Sequence, residues 1–224
     1  MPYTKRIVCL ANSRKMSGRC VAGKEFTKNS TFEGWVRPVS NRPTEEITMD
    51  ERRYENGEDP KLLDIISIQM RGHVPHTHQT ENHLIDAEYY WVKQGTVTWD
   101  DLDAATEAFH GTLWVDGNHS YNGENDRIPE ALTVELDNSL TLVETEDLVI
   151  AVAHEGLNPK RKVRARFSLG EKRYVIAVTD PVIEREYLAK ENGEYPIGLA
   201  RLCISIGEPY QGYCYKLVAG IIRP

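Results

Sequence analysis

The feature that most constrains this chain is an order of short apolar runs that occurs twice. Toward the N-terminus, strand-like segments fall at 5–11 (KRIVCLA), 18–26 (GRCVAGKEF), 34–40 (GWVRPVS) and 62–71 (LLDIISIQMR), with another at 78–85. Between the third and fourth, TMDERRYENG reads as one short helix ending at Gly57. From residue 139 the pattern returns, with strands at 147–154, 162–169, 172–179, 199–206 and 213–222. Asp180 followed by Pro181 gives the N-cap and first helical position of VIEREYLAKEN, which lies after the third of these runs. Each half therefore has the order β-β-β-α-β-β. Five strands with a helix after the third suit a small Greek-key barrel of the OB type. The expectation is a mainly β protein with a few helices, built as two OB-like Greek-key barrels. A single larger barrel of the PUA or ASCH kind is the alternative, because strand count does not fix closure.

The middle of the chain carries helix signals. Asp86 can cap AEYYWVKQ, with Gly95 after it, and Thr98 with Asp101 resembles a capping box for WDDLDAATEAF. These predict a helical, acidic segment over 86–138 joining barrels at 1–85 and 139–224, with GNHSYNGENDRIPE at 117–130 as a loop.

Composition excludes several classes. No apolar run approaches the roughly 18–20 residues of a membrane helix, and MPYTKRIVCL lacks the apolar stretch of a secretory signal, so a cytoplasmic protein with no membrane partner is expected. Cys9, Cys20, Cys203 and Cys214 form no CxxC pair, which argues against a zinc ribbon and for free thiols. There is no P-loop and no GxGxxG turn. HEGLN at 154–158 starts like a zinc-protease helix but ends in Asn158 rather than His. Asp100, Asp101 and Asp103 read as solvated acids at a helix start. Cys20 beside Arg19 could be an activated nucleophile, with a core thiol as the plainer reading. No cofactor is implied, and the chain reads as a binding protein rather than an enzyme.

Charge points to the partner. The net charge of -7 divides into +7 over residues 1–43, -19 over 44–158 and +5 over 159–224. Screening beyond about 8 Å at physiological salt makes the local sign decide what binds. OB barrels take oligonucleotides on the face of strands 2 and 3, flanked by the 1–2 and 4–5 loops. In the first barrel NSRKMS would be the 1–2 loop, putting Arg14, Lys15 and Arg19 beside that face, and strand alternation places Trp35 and Arg37 on one side of GWVRPVS. An aromatic plane beside a guanidinium suits single strands, where stacking contributes about 1–3 kcal/mol per base; a Trp35 that caps the core, with Arg37 paired to an acid, is the competing arrangement. In the second barrel Lys162, Arg164 and Arg166 alternate with Val163, Ala165 and Phe167, so one strand face is cationic and the other core. Lys160 extends that row, and Tyr210 and Tyr213 lie near the 4–5 loop as stacking surfaces. Carboxylates of the acidic middle could instead neutralise it.

Other polar groups gather at HVPHTHQTENH. Gln79, Glu81 and Asn82 are candidate hydrogen-bonding contacts to a ligand, and His76, His78 and His83, within the cluster His73–His83, form an alternative zinc or manganese site.

The stretches CLANSRKMSGRCVAG, GWVRPVS, LLDIISI, QTENHLID, NDRIP, SLTLV, VTDP and YCYKLVAGII together resemble the bacterial dual OB-containing domain family. That resemblance implies two OB-like barrels that recognise nucleic acid, in some cases in genome defence. The leading expectation is thus a non-enzymatic module for single-stranded DNA or RNA. A metal-dependent hydrolase using the histidine cluster and a protein-interaction module, with protein partners in a larger system, are the alternatives.

Overall fold

The computed structural model describes residues 1–156 and 159–224. The chain forms two compact units, Met1–Ala105 and Thr106–Pro224. In the first, β1 (Tyr3–Lys15), β2 (Gly18–Phe26), β3 (Phe32–Val39), β4 (Asp64–His73) and β5 (Asn82–Ile85) run in the order β1-β2-β3-β5-β4, and an additional β1–β4 pairing closes the ring. β3 and β5 are parallel, and the other neighbours are antiparallel. This is the five-strand barrel expected from the sequence.

Closure demands a close approach. Where β1 bulges between Cys9 and Ala11, Gly23 lies so near that an added Cβ would stand 2.0 Å from the Val8 carbonyl oxygen. Ile7, Val21, Val36, Ile66 and Ile68 fill the interior. The helix α1 (Met49–Arg52) starts at a capping box in which Thr48 and Glu51 satisfy each other's backbone N–H groups.

The second unit repeats the order. β8 (Leu140–Glu155), β9 (Lys160–Leu169), β10 (Lys172–Val178), β11 (Gly193–Tyr210) and β12 (Tyr213–Ile222) give β10-β9-β8-β11-β12, closed by a parallel β10–β12 pairing. Helix α3 (Pro181–Leu188) follows β10, as its Asp-Pro start predicts. Asp180 accepts from the N–H groups of Val182 at 2.9 Å and Ile183 at 3.3 Å. Ile183 and Tyr187 join Val163, Phe167, Tyr174 and Leu202 in the core.

The helical middle segment does not form. Trp91, expected in a helix, is buried against the first core, and Val92–Thr96 is a strand, β6, on the edge of β4. An aromatic and β-branched run beside an open strand edge gains more from pairing than from its weak helix propensity. Thr98 and Asp101 do make a capping box, but it opens only a 3-10 turn over Asp100–Ala104 that buries Leu102. The Gly/Asn-rich stretch expected as a loop contains β7 (Arg127–Pro129), followed by the short α2 (Glu130–Thr133).

β10 and β12 pair only at Ala177–Leu217 and Val178–Val218, and residues 124–129 bridge the edges beyond. Glu124 pairs with Val175, and β7 pairs with Tyr213–Tyr215. No helix among the described residues is long and apolar enough to cross a membrane. Asn158, on which the HEGLN pattern turns, lies outside the described residues.

Candidate nucleic-acid interface

Strand alternation in β9 delivers the expected two faces. Val163, Ala165, Phe167 and Leu169 are buried in the core, while Lys160, Lys162 and Arg166 are exposed and Arg164 is half-buried. At about 3.3 Å per residue the row from Lys160 to Arg166 is about 20 Å long. The cations are not equivalent. Arg164 holds Glu155 through two bonds, Nε to Oε1 at 2.7 Å and Nη2 to Oε2 at 3.0 Å, and its Nη1 lies 3.7 Å from Asp126. Both partners of the bidentate pair are only 15% exposed, so Arg164 is built into the barrel. Arg166 pairs with Glu194, but those side chains are 45% and 61% exposed. Exposed pairs of this sort contribute about 0–1 kcal/mol, so a phosphate can replace the carboxylate. Among the described residues no carboxylate lies within ion-pair distance of Lys160 or Lys162.

A recess of about 210 Å³ opens on this face, lined by Asp147, Val149, Arg166, Ser168, Arg173 and Val175 among others. Asp147 spends its lone pairs on Thr145 Oγ1 and the Ser168 N–H, which hold its carboxyl below the usual range against the opposing effect of burial. Arg173 was not among the residues singled out from the sequence. Its strand partner Ser168 also lines the recess, so the pairing that follows from the β9–β10 hairpin was the available signal.

The parallel register of β10 and β12 puts Tyr213 at the same end of the barrel as Arg173. Tyr210 and Tyr213 are a cross-strand pair on the β11–β12 hairpin. Tyr210 is 62% exposed, whereas one face of Tyr213 is covered by Arg127, whose guanidinium carbon is 3.9 Å from the ring centroid. Cation and aromatic surfaces therefore meet at one end of the second barrel.

The first barrel is arranged differently. β1 runs through Lys15 and β2 starts at Gly18, so NSRKMS is a strand end and tight hairpin rather than an open loop. Arg14 and Arg19 face each other across that hairpin, and Lys15 lies 3.8 Å from Glu45. Trp35 and Arg37 are buried, not surface groups: Lys24 sits 5.4 Å from the Trp35 ring centroid, and Arg37 pairs with Glu81 at 3.2 Å and donates to Cys20 Sγ at 2.9 Å. Gln79, Glu81 and Asn82, expected as ligand contacts, are buried as well. Glu81 serves Arg37, and Asn82 Nδ2 donates to Gln79 Oε1 at 3.3 Å. Alternation showed which residues share a face; it carried no information on what covers that face.

The three histidines offered as metal ligands do not gather at one point, although His73 and His83 pack with ring centroids 4.8 Å apart. Tyr3 OH bonds His83 Nδ1 at 2.5 Å, His78 is buried beside Thr77, and His76 is exposed. Burial, with Lys5 and His73 nearby, brings the His83 pKa down to about 4. Among the described residues His76, His78 and His83 do not come together as ligands of one metal group.

The family model of the Dual OB-containing domain matches residues 5–221. The chain belongs to this family. Two closed rings of identical strand order within one chain are the structural counterpart of that match. No curated protein matches the chain, and no solved structure does. Membership of the dual OB-containing family fits a nucleic-acid-binding module at the level of the fold.

Proposed function

We propose that the protein binds single-stranded nucleic acid on the outer face of β9 and β10, with phosphates on Lys160, Lys162, Arg166 and Arg173 and a base on Tyr210. The observation that carries this reading is the exposed cationic row of β9, which leads to the recess holding Arg166 and Arg173. Arg164 stays with Glu155 as part of the scaffold. Arg14, Lys15 and Arg19 supply a second, smaller basic surface on the first barrel. Metal-dependent hydrolysis, the alternative, would need His76, His78 and His83 around one ion, and they are held apart, with His78 buried and His76 exposed.

Neutralising about four phosphates on a single strand gives a log–log salt slope of about -3, at about -0.7 per contact. Titration of the full chain with a labelled oligo(dT) across salt concentrations should show that slope, and Lys162→Ala with Arg166→Ala should reduce it by about half. A flat salt dependence, or a double variant that binds like the parent, would count decisively against the assignment.

A further inference from the structure

A second cavity, of about 370 Å³, lies in the second unit between the segment at 107–114 and the start of β8. Its volume is in the range of small-molecule sites, roughly 300–1000 Å³. Phe109, Trp114 and Val143 form apolar walls, and Glu107, Asn138 and Thr141 bring polar groups to it.

These walls are set by the fold. Phe109 stands edge-on to Tyr174, with ring centroids 6.4 Å apart, and lies over Gly170, where an added Cβ would be 3.5 Å from its ring. Trp114 has a φ of 59°, a left-handed conformation that is strained for a bulky residue. Both its neighbours are pinned, Leu113 in the barrel core and Val115 by its carbonyl, which accepts from Lys216 Nζ at 2.9 Å. Glu107 is held at both ends: its N–H donates to the Leu142 carbonyl at 2.8 Å, and Thr141 Oγ1 donates to its carboxylate.

A cavity lined by two aromatic side chains and a positioned carboxylate suits a planar heteroaromatic ring that carries N–H donors. Aromatic side chains stack on the flat face that every base presents. An ionised carboxylate only accepts, so it selects for donors, and its hydrogen bonds are stronger than neutral ones. Of the common bases, guanine alone presents two adjacent N–H donors on one edge. We propose that this cavity is a guanine pocket, in which Glu107 reads the N–H edge of an unstacked base and Asn138 reads its carbonyl. The base comes either from a bound strand or from a free guanine nucleoside. Only the first source rests on the function proposed above. Tyr174 lines the recess with Arg166 and Arg173 and packs edge-on against Phe109, which lines the second cavity.

Calorimetric titration of the full chain with guanosine, adenosine, cytidine and uridine tests the pocket directly. Guanosine should bind at least about tenfold more tightly than the others, and Glu107→Gln should remove that preference. If Glu107→Gln proves unfolded by circular dichroism, Asn138→Ala, at a half-exposed position, must weaken guanosine binding instead. Guanosine that fails to bind at millimolar concentration, or binds no better than cytidine, overturns the proposal. So does a folded Glu107→Gln protein with unchanged preference.

Paired titrations with oligo(dT) and the same oligomer carrying one central dG identify the source. A gain from dG that Glu107→Gln abolishes assigns the base to a strand; guanosine binding without that gain assigns it to the free nucleoside. Salt-dependent binding of both oligomers without guanosine binding removes the pocket and leaves the strand reading standing. Guanosine binding with no oligomer binding does the reverse.

Discussion

Lys216 is 1% exposed, and its ammonium is held inside the second barrel by Asp116 Oδ1 at 2.8 Å and the Val115 carbonyl. Asp116 also accepts from Tyr174 OH at 2.7 Å and Lys172 Nζ at 3.1 Å. Burial draws the Lys216 pKa down while Asp116 opposes it. The Asp116 carboxyl, although burial opposes its ionisation, is kept below the usual range by Lys216, Tyr174 and Lys172. Removing one partner of a buried pair costs about 3–5 kcal/mol because the other charge remains. Asp116→Asn should lose that much in a denaturant titration. Lys216→Met, which leaves Asp116 with Tyr174 and Lys172, should lose distinctly less, and equal losses would refute the asymmetry. His83 supplies a pH test in the first barrel. Its folded pKa, about 4, lies below the ordinary 6.5, so the unfolded chain takes up a proton first as the solution is acidified. Its contribution to stability is complete above pH 6.5 and declines as pH falls toward 4. His83→Gln should lessen the loss of stability between pH 7 and 5 measured by denaturant midpoints; a loss as steep as the parent's would contradict this.

Among the elements, β1 and β2 depend on one glycine. An added Cβ at Gly23 would meet the Val8 carbonyl at 2.0 Å, whereas at Gly34 it would meet nothing within 4 Å. Gly23→Ala should therefore lower the melting temperature of the first unit sharply, and Gly34→Ala should change it little; similar effects at both sites would show that the close approach is not needed. Much of this level was legible in the sequence. The alternation in KVRARF sorts core from surface because a strand has period two, and Asp180 with Pro181 starts α3 where a cap and a proline predict. The extra stave at 124–129 was not legible. Its sequence is turn-like, and its partners Val175 and Tyr213–Tyr215 are distant in the chain, brought beside it only because β10 and β12 diverge. The cavity walled by Phe109 and Trp114 was hidden for a related reason, since Gly170 and Tyr174, against which Phe109 packs, lie on the β9–β10 hairpin.

Across the whole molecule, net charge conceals the distribution that matters. The chain carries -7, yet the row of β9 keeps exposed cations within the second unit. From the acidic middle, Glu155 and Asp126 reach Arg164, while the partner of Arg166, Glu194, comes from β11. Lys160 and Lys162 keep their exposure, and the local field on this face stays available to a polyanion at physiological salt. The most direct measurement is a ¹⁵N-edited NMR titration of the full chain with oligo(dT) at low salt, following backbone amides by residue. The account predicts that the largest shifts fall on 160–175 and around Tyr210–Tyr213, and that they fade as salt is raised. Shifts confined to the first barrel, around Arg14–Arg19, or shifts indifferent to salt, would contradict it.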